Sequence, residues 1–259
     1  MSLTGCKPST DEVEESLKDR YGKDFYVGGL TPIDGGYSCL CYPIDNPQQL
    51  FDARINKDGS IYYDKYVAAM IADYYADYFE GDLDGLDGEI YVHGYRKGLL
   101  DNSESDNEVS ELIKNKSFSF EDFYKAQNEK KGGKINTSSD FYIFISGSED
   151  YKKEYEKLKN ASYKVIDDYK NRYDLDIWVQ LKIFYISHDD IDRPKQYYSQ
   201  HADIKSLHEE SLKNWTRNEI DMGFGELDKV PSDFNFTEEE YVEKRKEFKW
   251  WMGLLLYIR

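Results

Sequence analysis

The chain has 259 residues, of which 39% are hydrophobic and 33% charged, with 34 lysines and arginines against 51 acids and a formal net charge of -17. That length buries a substantial core as one large domain or two small ones, while the low apolar fraction excludes an integral membrane protein. A field of this sign repels phosphate backbones and anionic headgroups, so no nucleic-acid partner is expected.

The chain opens Met1-Ser2-Leu3-Thr4-Gly5-Cys6-Lys7-Pro8. Leu3-Thr4-Gly5-Cys6 resembles a bacterial lipobox, the Leu-small-Gly-Cys pattern at which a lipoprotein signal peptide is cut. The resemblance implies that Cys6 is diacylated on sulfur and ties the chain to the outer face of the cell membrane. The basic and apolar stretches of a signal peptide do not precede it, so residues 1–9 read as a tether or an expression scar.

Ser9 and Glu12 stand at capping-box spacing ahead of a helix carrying Val13 and Leu17, which Gly22 stops. Strand-like runs follow at 25–27, 37–42 and 50–55, broken by Gly28-Gly29, by Asp34-Gly35-Gly36 and by residues 43–47. Cys39 and Cys41 fall on one face of the second run and are read as buried free thiols. After the Asp58-Gly59 turn, Tyr66, Val67, Met70, Ile71, Tyr74, Tyr78 and Phe79 mark a second amphipathic helix. A Gly/Asp loop over 81–88 leads to a strand at 89–95.

Residues 98–117 are polar and turn-prone and form the expected junction between an N-terminal module, 10–97, and a C-terminal module, 118–259. A short helix is expected over 120–130 and a strand over 141–145. Tyr151, Tyr155, Leu158, Val165, Ile166, Tyr169 and Tyr173 then repeat at helical steps behind a Ser148 cap, and 177–186 alternates as a strand. An irregular stretch, a helix over 204–218 and a loop over 223–236 come next. The last helix starts at Thr237, whose spacing to Glu240 fits another capping box. The terminal run 250–258 is too short to span a bilayer and is read as docked into the core.

Val13–Val27 aligns without a gap on Val165–Val179. Lys18-Asp19-Arg20-Tyr21 falls on Lys170-Asn171-Arg172-Tyr173, and Asp24 on Asp176. This suggests a repeated helix-to-strand module. The early segments, with Lys18-Asp19-Arg20-Tyr21-Gly22 and Phe25, Tyr42-Pro43 with Phe51 and Ala53, and Asp58-Gly59 with Asp64 and Tyr66, also resemble uncharacterised lipoproteins of Gram-positive-type bacteria. That likeness reaches to about residue 80 and implies location, not activity.

No catalytic constellation stands out. His201 and His208 are too far apart for a helical zinc pair, and His188-Asp189-Asp190 has no nucleophile motif beside it. Asn56–Ile61 imitates part of a calcium loop, yet Arg54 and Lys65 occupy ligand positions, which favours a turn. Asp82, Asp84, Asp87 and Glu89 crowd oxygens around three glycines with no spacing that defines a metal site. No metal and no cofactor are therefore expected.

The expected fold class is α+β, with antiparallel sheets carrying amphipathic helices on one face and two related modules. The expected function is a lipid-anchored extracytoplasmic binding or accessory protein without catalysis. Its partner is an unknown extracellular ligand or protein, and its membrane contact is the lipid on Cys6. The alternatives are a secreted glycan-directed hydrolase using a carboxylate pair and a cytoplasmic interaction protein.

Overall fold

Ser9 starts the first helix as its spacing predicts. Its backbone N–H donates to Glu12 Oε2 at 2.7 Å and its Oγ accepts the Glu12 N–H at 3.2 Å. The computed structural model of the chain describes residues 7–95, 113–116, 118–121, 123–124, 137–147, 150–186, 189, 191–195, 218–225 and 230–257, with the backbone alone beyond Phe248. These residues belong to two units. One comprises 1–73 with 98–135 and 196–211, and the other 74–97 with 136–195 and 212–259.

In the first unit, α1 (Thr10–Tyr21) carries acids in its first turn and Lys18 and Arg20 in its last, as the helix dipole favours. Gly22 ends it at φ 69, giving its N–H to Lys18 O at 2.8 Å. Strands β1 (Phe25–Val27), β2 (Thr31–Ile33), β3 (Gly36–Pro43), β4 (Phe51–Asn56) and β5 (Ile61–Asp64) form an antiparallel sheet. Strand β3 pairs with β1 through residues 41–43 and with β2 through 36–38, so both short strands share its outer edge. A Cβ on Gly36 would lie 2.1 Å from Ile55 O, so only glycine allows this close pairing. The core face joins Val13, Leu17 and Tyr21 to Phe25, Val27, Cys39, Cys41, Phe51, Ala53 and Ile55. Tyr66, at the head of α2 (Tyr66–Leu83), sits among them, with ring centroids 4.8 Å from Tyr21, 5.1 Å from Phe25 and 5.3 Å from Phe51. From Tyr74 onward α2 belongs to the second unit.

The second unit holds β6 (Glu89–Tyr95), β7 (Thr137–Ser146), α3 (Tyr151–Tyr173), β8 (Ile177–Tyr185), β9 (Asn218–Phe224) and α4 (Glu238–Tyr257), with sheet order β6-β7-β8-β9. One face is apolar: Val92, Phe141, Ile143, Ile145, Val179, Leu181, Ile183, Ile220 and Met222 are all buried. Helix α3 turns its own buried stripe, Leu158, Ala161, Ser162, Val165 and Tyr169, into the core. Phe79 stacks on Phe141 at 4.9 Å and Tyr75 on Tyr169 at 4.6 Å. Each fully buried side chain of this size stabilises the fold by about 1.5–3 kcal/mol before entropic costs.

The α+β class holds, with two sheets, and three local expectations change. Strands β7 and β8 pair in parallel, not antiparallel. The 23-residue helix between them is the crossover that parallel neighbours need. Asn218–Phe224 is a strand, where a helix end and a loop were expected. Its apolar residues Ile220, Met222 and Phe224 alternate with Glu219, Asp221 and Gly223, a period of two. Asp150 caps α3, its side chain accepting the Lys153 N–H at 3.1 Å; Ser148 lies outside the described residues.

Lys18 pairs with Asp24 at 2.7 Å, and the aligned Lys170 pairs with Asp176 at 3.1 Å. Gly22 and Asp174 both close their helices in the left-handed region, at φ 69 and φ 52. The local helix–turn–strand unit thus recurs in detail. Its sheet context does not recur: β1 pairs with one neighbour, antiparallel, and β8 lies inside a mixed sheet.

Candidate functional site

Cys6, the expected acyl acceptor, lies outside the described residues. The segment next to it, residues 7–9, is built into the first unit. Pro8 is buried, with its Cβ at ordinary contact distance, 3.5 Å, from where a Cβ on Gly59 would stand. Lys7 Nζ donates to Leu30 O at 3.2 Å and lies 5.9 Å from the Tyr37 ring centroid. These residues therefore hold to the sheet and do not act as a loose spacer.

Among the described residues of the same unit, one carboxylate is buried. Asp64 is 3% exposed. Its Oδ1 accepts from the Tyr21 hydroxyl at 2.7 Å and from the Tyr66 N–H at 3.0 Å, while Arg20 Nη1 donates to Oδ2 at 2.9 Å. A charge at this position is satisfied on both oxygens and also serves the first turn of α2.

The second unit buries another. Glu154 Oε1 accepts from Tyr185 at 3.2 Å, from Arg245 Nε at 2.8 Å and from the Tyr241 hydroxyl, and Arg245 Nη2 reaches Oε2 at 3.3 Å. The two tyrosine hydroxyls lie 2.7 Å apart, and the guanidinium sits 3.7 Å from the Tyr185 ring centroid. Burial, with Glu154 as a further cause, holds both phenols well above the usual tyrosine range, and Tyr185 adds to the rise of Tyr241. Charge, hydrogen bonds and cation–π contact all close on one another, which suits a clamp between α3, β8 and α4. Sequence pattern marks neither carboxylate, because their arginine partners are 44 and 91 residues away.

The second face of that sheet is mixed. The strand register aligns His93, Tyr142, Lys182 and Asp221 across β6, β7, β8 and β9. Phe144 stacks on Phe184 at 5.0 Å and Trp178 lies 6.1 Å from Phe234. Burial raises the Asp221 carboxyl above the ordinary aspartate range, against the pull of Lys182 and Lys244. His93 is 6% exposed, and burial lowers it to about 3, so it is neutral at physiological pH. His188, His201 and His208 lie outside the described residues.

The remaining candidates are accounted for by the chain itself. The expected 81–88 loop begins only after Leu83, because α2 runs through 81–83, and three lysines of α3 reach this stretch: Lys153 Nζ donates to Gly85 O at 2.7 Å, Lys157 to Asp84 O, and Lys164 to the Asp82 carboxylate. The Asp82 carboxylate is thereby paired with an ammonium group. Residues 56–60 make a hairpin turn, with Gly59 N–H on Asn56 O at 3.1 Å. Cys39 and Cys41 are free thiols with Sγ atoms 3.6 Å apart, and burial pushes the Cys41 thiol well up, which keeps it unreactive. Among the described residues no group of three or more His, Cys, Asp or Glu could hold a metal ion.

Fold and sites together define an α+β protein of two sheets, each unit closed around a buried carboxylate. No protein-family model matches the sequence, and no curated protein matches it. Among solved structures, the chain is similar to the crystal structure of a DUF5037 family protein from Ruminococcus gnavus. The TM-score is 0.57 at 15% identity, over 90% of this chain and 96% of that one. The likeness is one of fold.

Proposed function

We propose that this protein is a lipid-anchored extracytoplasmic binding or accessory protein, without catalysis of its own, in which Cys6 is the acyl acceptor. The observation that carries the reading is the Leu3-Thr4-Gly5-Cys6 pattern standing immediately ahead of a folded unit whose first helix starts at Thr10. Among the described residues no helix is long and apolar enough to cross a membrane; the attachment proposed is a covalent lipid. Asp64 and Glu154 are both neutralised by arginine and tyrosine inside the fold, which leaves neither as a free acid for a carboxylate-pair hydrolase. Acyl labelling and membrane fractionation of the native gene product test the reading. Wild type is expected to carry a thioether-linked lipid and to sediment with membranes, whereas Cys6→Ala does neither. A wild-type chain that is unlabelled and soluble removes the proposal.

A further inference from the structure

We propose that the end of the five-stranded sheet bearing the β2–β3 and β4–β5 turns is a membrane-contact surface whose partner is the lipid bilayer. The inference rests on the proposed acylation of Cys6, and adds to it which part of the protein meets the lipid. Strand register sets the geometry. Ile33 pairs with Gly36 across the β2–β3 turn, and Gly36 pairs in turn with Asn56, where the β4–β5 turn begins. The tips Asp34-Gly35 and Lys57-Asp58 therefore lie side by side at one end of the sheet.

The start of the described chain is at that same end. Pro8 packs beside Gly59 of the second turn, and Lys7 lies over Tyr37, one residue from Gly36. Ser16 Oγ of α1 also reaches Gly59 O, at 3.3 Å, which fixes the helix to the turn. An acyl chain on Cys6 would begin one residue, about 3.8 Å of chain, from Lys7. With Lys7 and Pro8 held against the sheet, little slack is left for the domain to stand away from the lipid or to reorient.

The surface fits that partner. Ile33 is an exposed large apolar side chain beside the tip and Lys57 an exposed cation on the neighbouring turn, while Lys7 is turned onto Leu30 O and holds the chain start to the sheet. Asp58, bonded to Ser60 at 2.6 Å, Glu12, bonded to the Ser9 cap, and Asp34 at the tip keep their charge, so the contact rests on the anchor and Ile33 and not on net attraction to the headgroups. The opposite end of the sheet is marked by Ile44, which comes just after β3 and is more exposed still, at 61%. Eight residues of β3 separate the two ends by about 23 Å at roughly 3.3 Å per residue.

The test uses the full acylated chain in vesicles of phosphatidylcholine and phosphatidylglycerol, with a fluorophore on Lys57→Cys or on Ile44→Cys. Cys39 and Cys41 are buried and stay unlabelled, and replacing Lys57 removes a cation, which works against the expected result. The label at 57 is expected to shift to shorter wavelength and to lose emission to doxyl lipids, while the label at 44 keeps its aqueous spectrum. An acylated, vesicle-bound chain whose two labels are quenched alike, or whose label at 44 is quenched more, overturns the contact surface and leaves acylation standing. A chain that carries no acyl group overturns both.

Discussion

Each unit neutralises a buried carboxylate by the same means, an arginine and a tyrosine hydroxyl, yet the two use the device differently. Asp64 is bonded by two adjacent residues of α1, Arg20 and Tyr21, and also takes the Tyr66 N–H at the start of α2. Arg20 keeps 17% of its side chain exposed. Glu154 is 0% exposed, and its partners come from β8 and α4, with the Arg245 side chain 8% exposed. The first cluster finishes a helix end near water. The second holds a distant helix in place in a dry site, where an unpaired charge is most costly.

The comparison breaks first at Arg245. Arg245→Ala leaves Glu154 buried without its counter-charge and is expected to lower unfolding stability by about 3–5 kcal/mol, read by urea denaturation. Asp64→Ala should cost less, about 2–3 kcal/mol, because Arg20 can turn to solvent while the helix loses its acceptor. Equal losses in the two variants would mean that exposure of the arginine does not set the difference.

Acid sharpens the contrast. His93 belongs to the second unit, and burial lowers its pKa from 6.5 to about 3. A depressed histidine contributes stability that is fully present above its unfolded value and is lost as pH falls toward about 3. The slope approaches about 1.4 kcal/mol per pH unit in that window. His93→Gln should remove that share of the slope, and in wild type amides of β6–β9 should lose protection before those of β1–β5. A variant with an unchanged acid limb would show that His93 is not the sensor.

The smallest effect is expected where the two units are most alike. The exposed pairs Lys18–Asp24 and Lys170–Asp176 recur at aligned positions, and Lys18→Ala and Lys170→Ala should leave the denaturation midpoint unresolvably changed. A clear shift in either would give the repeat an energetic role that its exposure argues against.

Much of this fold could be read from local pattern. The Ser9–Glu12 and Thr237–Glu240 boxes form as spaced, with Thr237 N–H on Glu240 Oε2 at 2.8 Å. Periodicity located α1, α2 and α3, and alternation located β6 and β8. Strand β2 was hidden by Pro32, which edge strands tolerate, and β5 by its four-residue length. The parallel pairing of β7 with β8 depends on where α3 returns the chain, and no residue reports that locally. The candidate sites were less legible than the fold. Asp64 and Glu154 are two acids among 51, and no local spacing marks either as buried. Only three-dimensional pairing with Arg20 and Arg245 distinguishes them.

The order in which the two ion pairs are synthesised differs as well. Arg20 is made 44 residues before Asp64, so the first carboxylate leaves the ribosome with its partner already present. Glu154 is made 91 residues before Arg245. At roughly 5–20 residues per second, that interval is on the order of 5–20 s. During that interval α3 and β8 have formed in sequence but cannot seal around the carboxylate. The closing step of the Glu154 cluster therefore waits for α4.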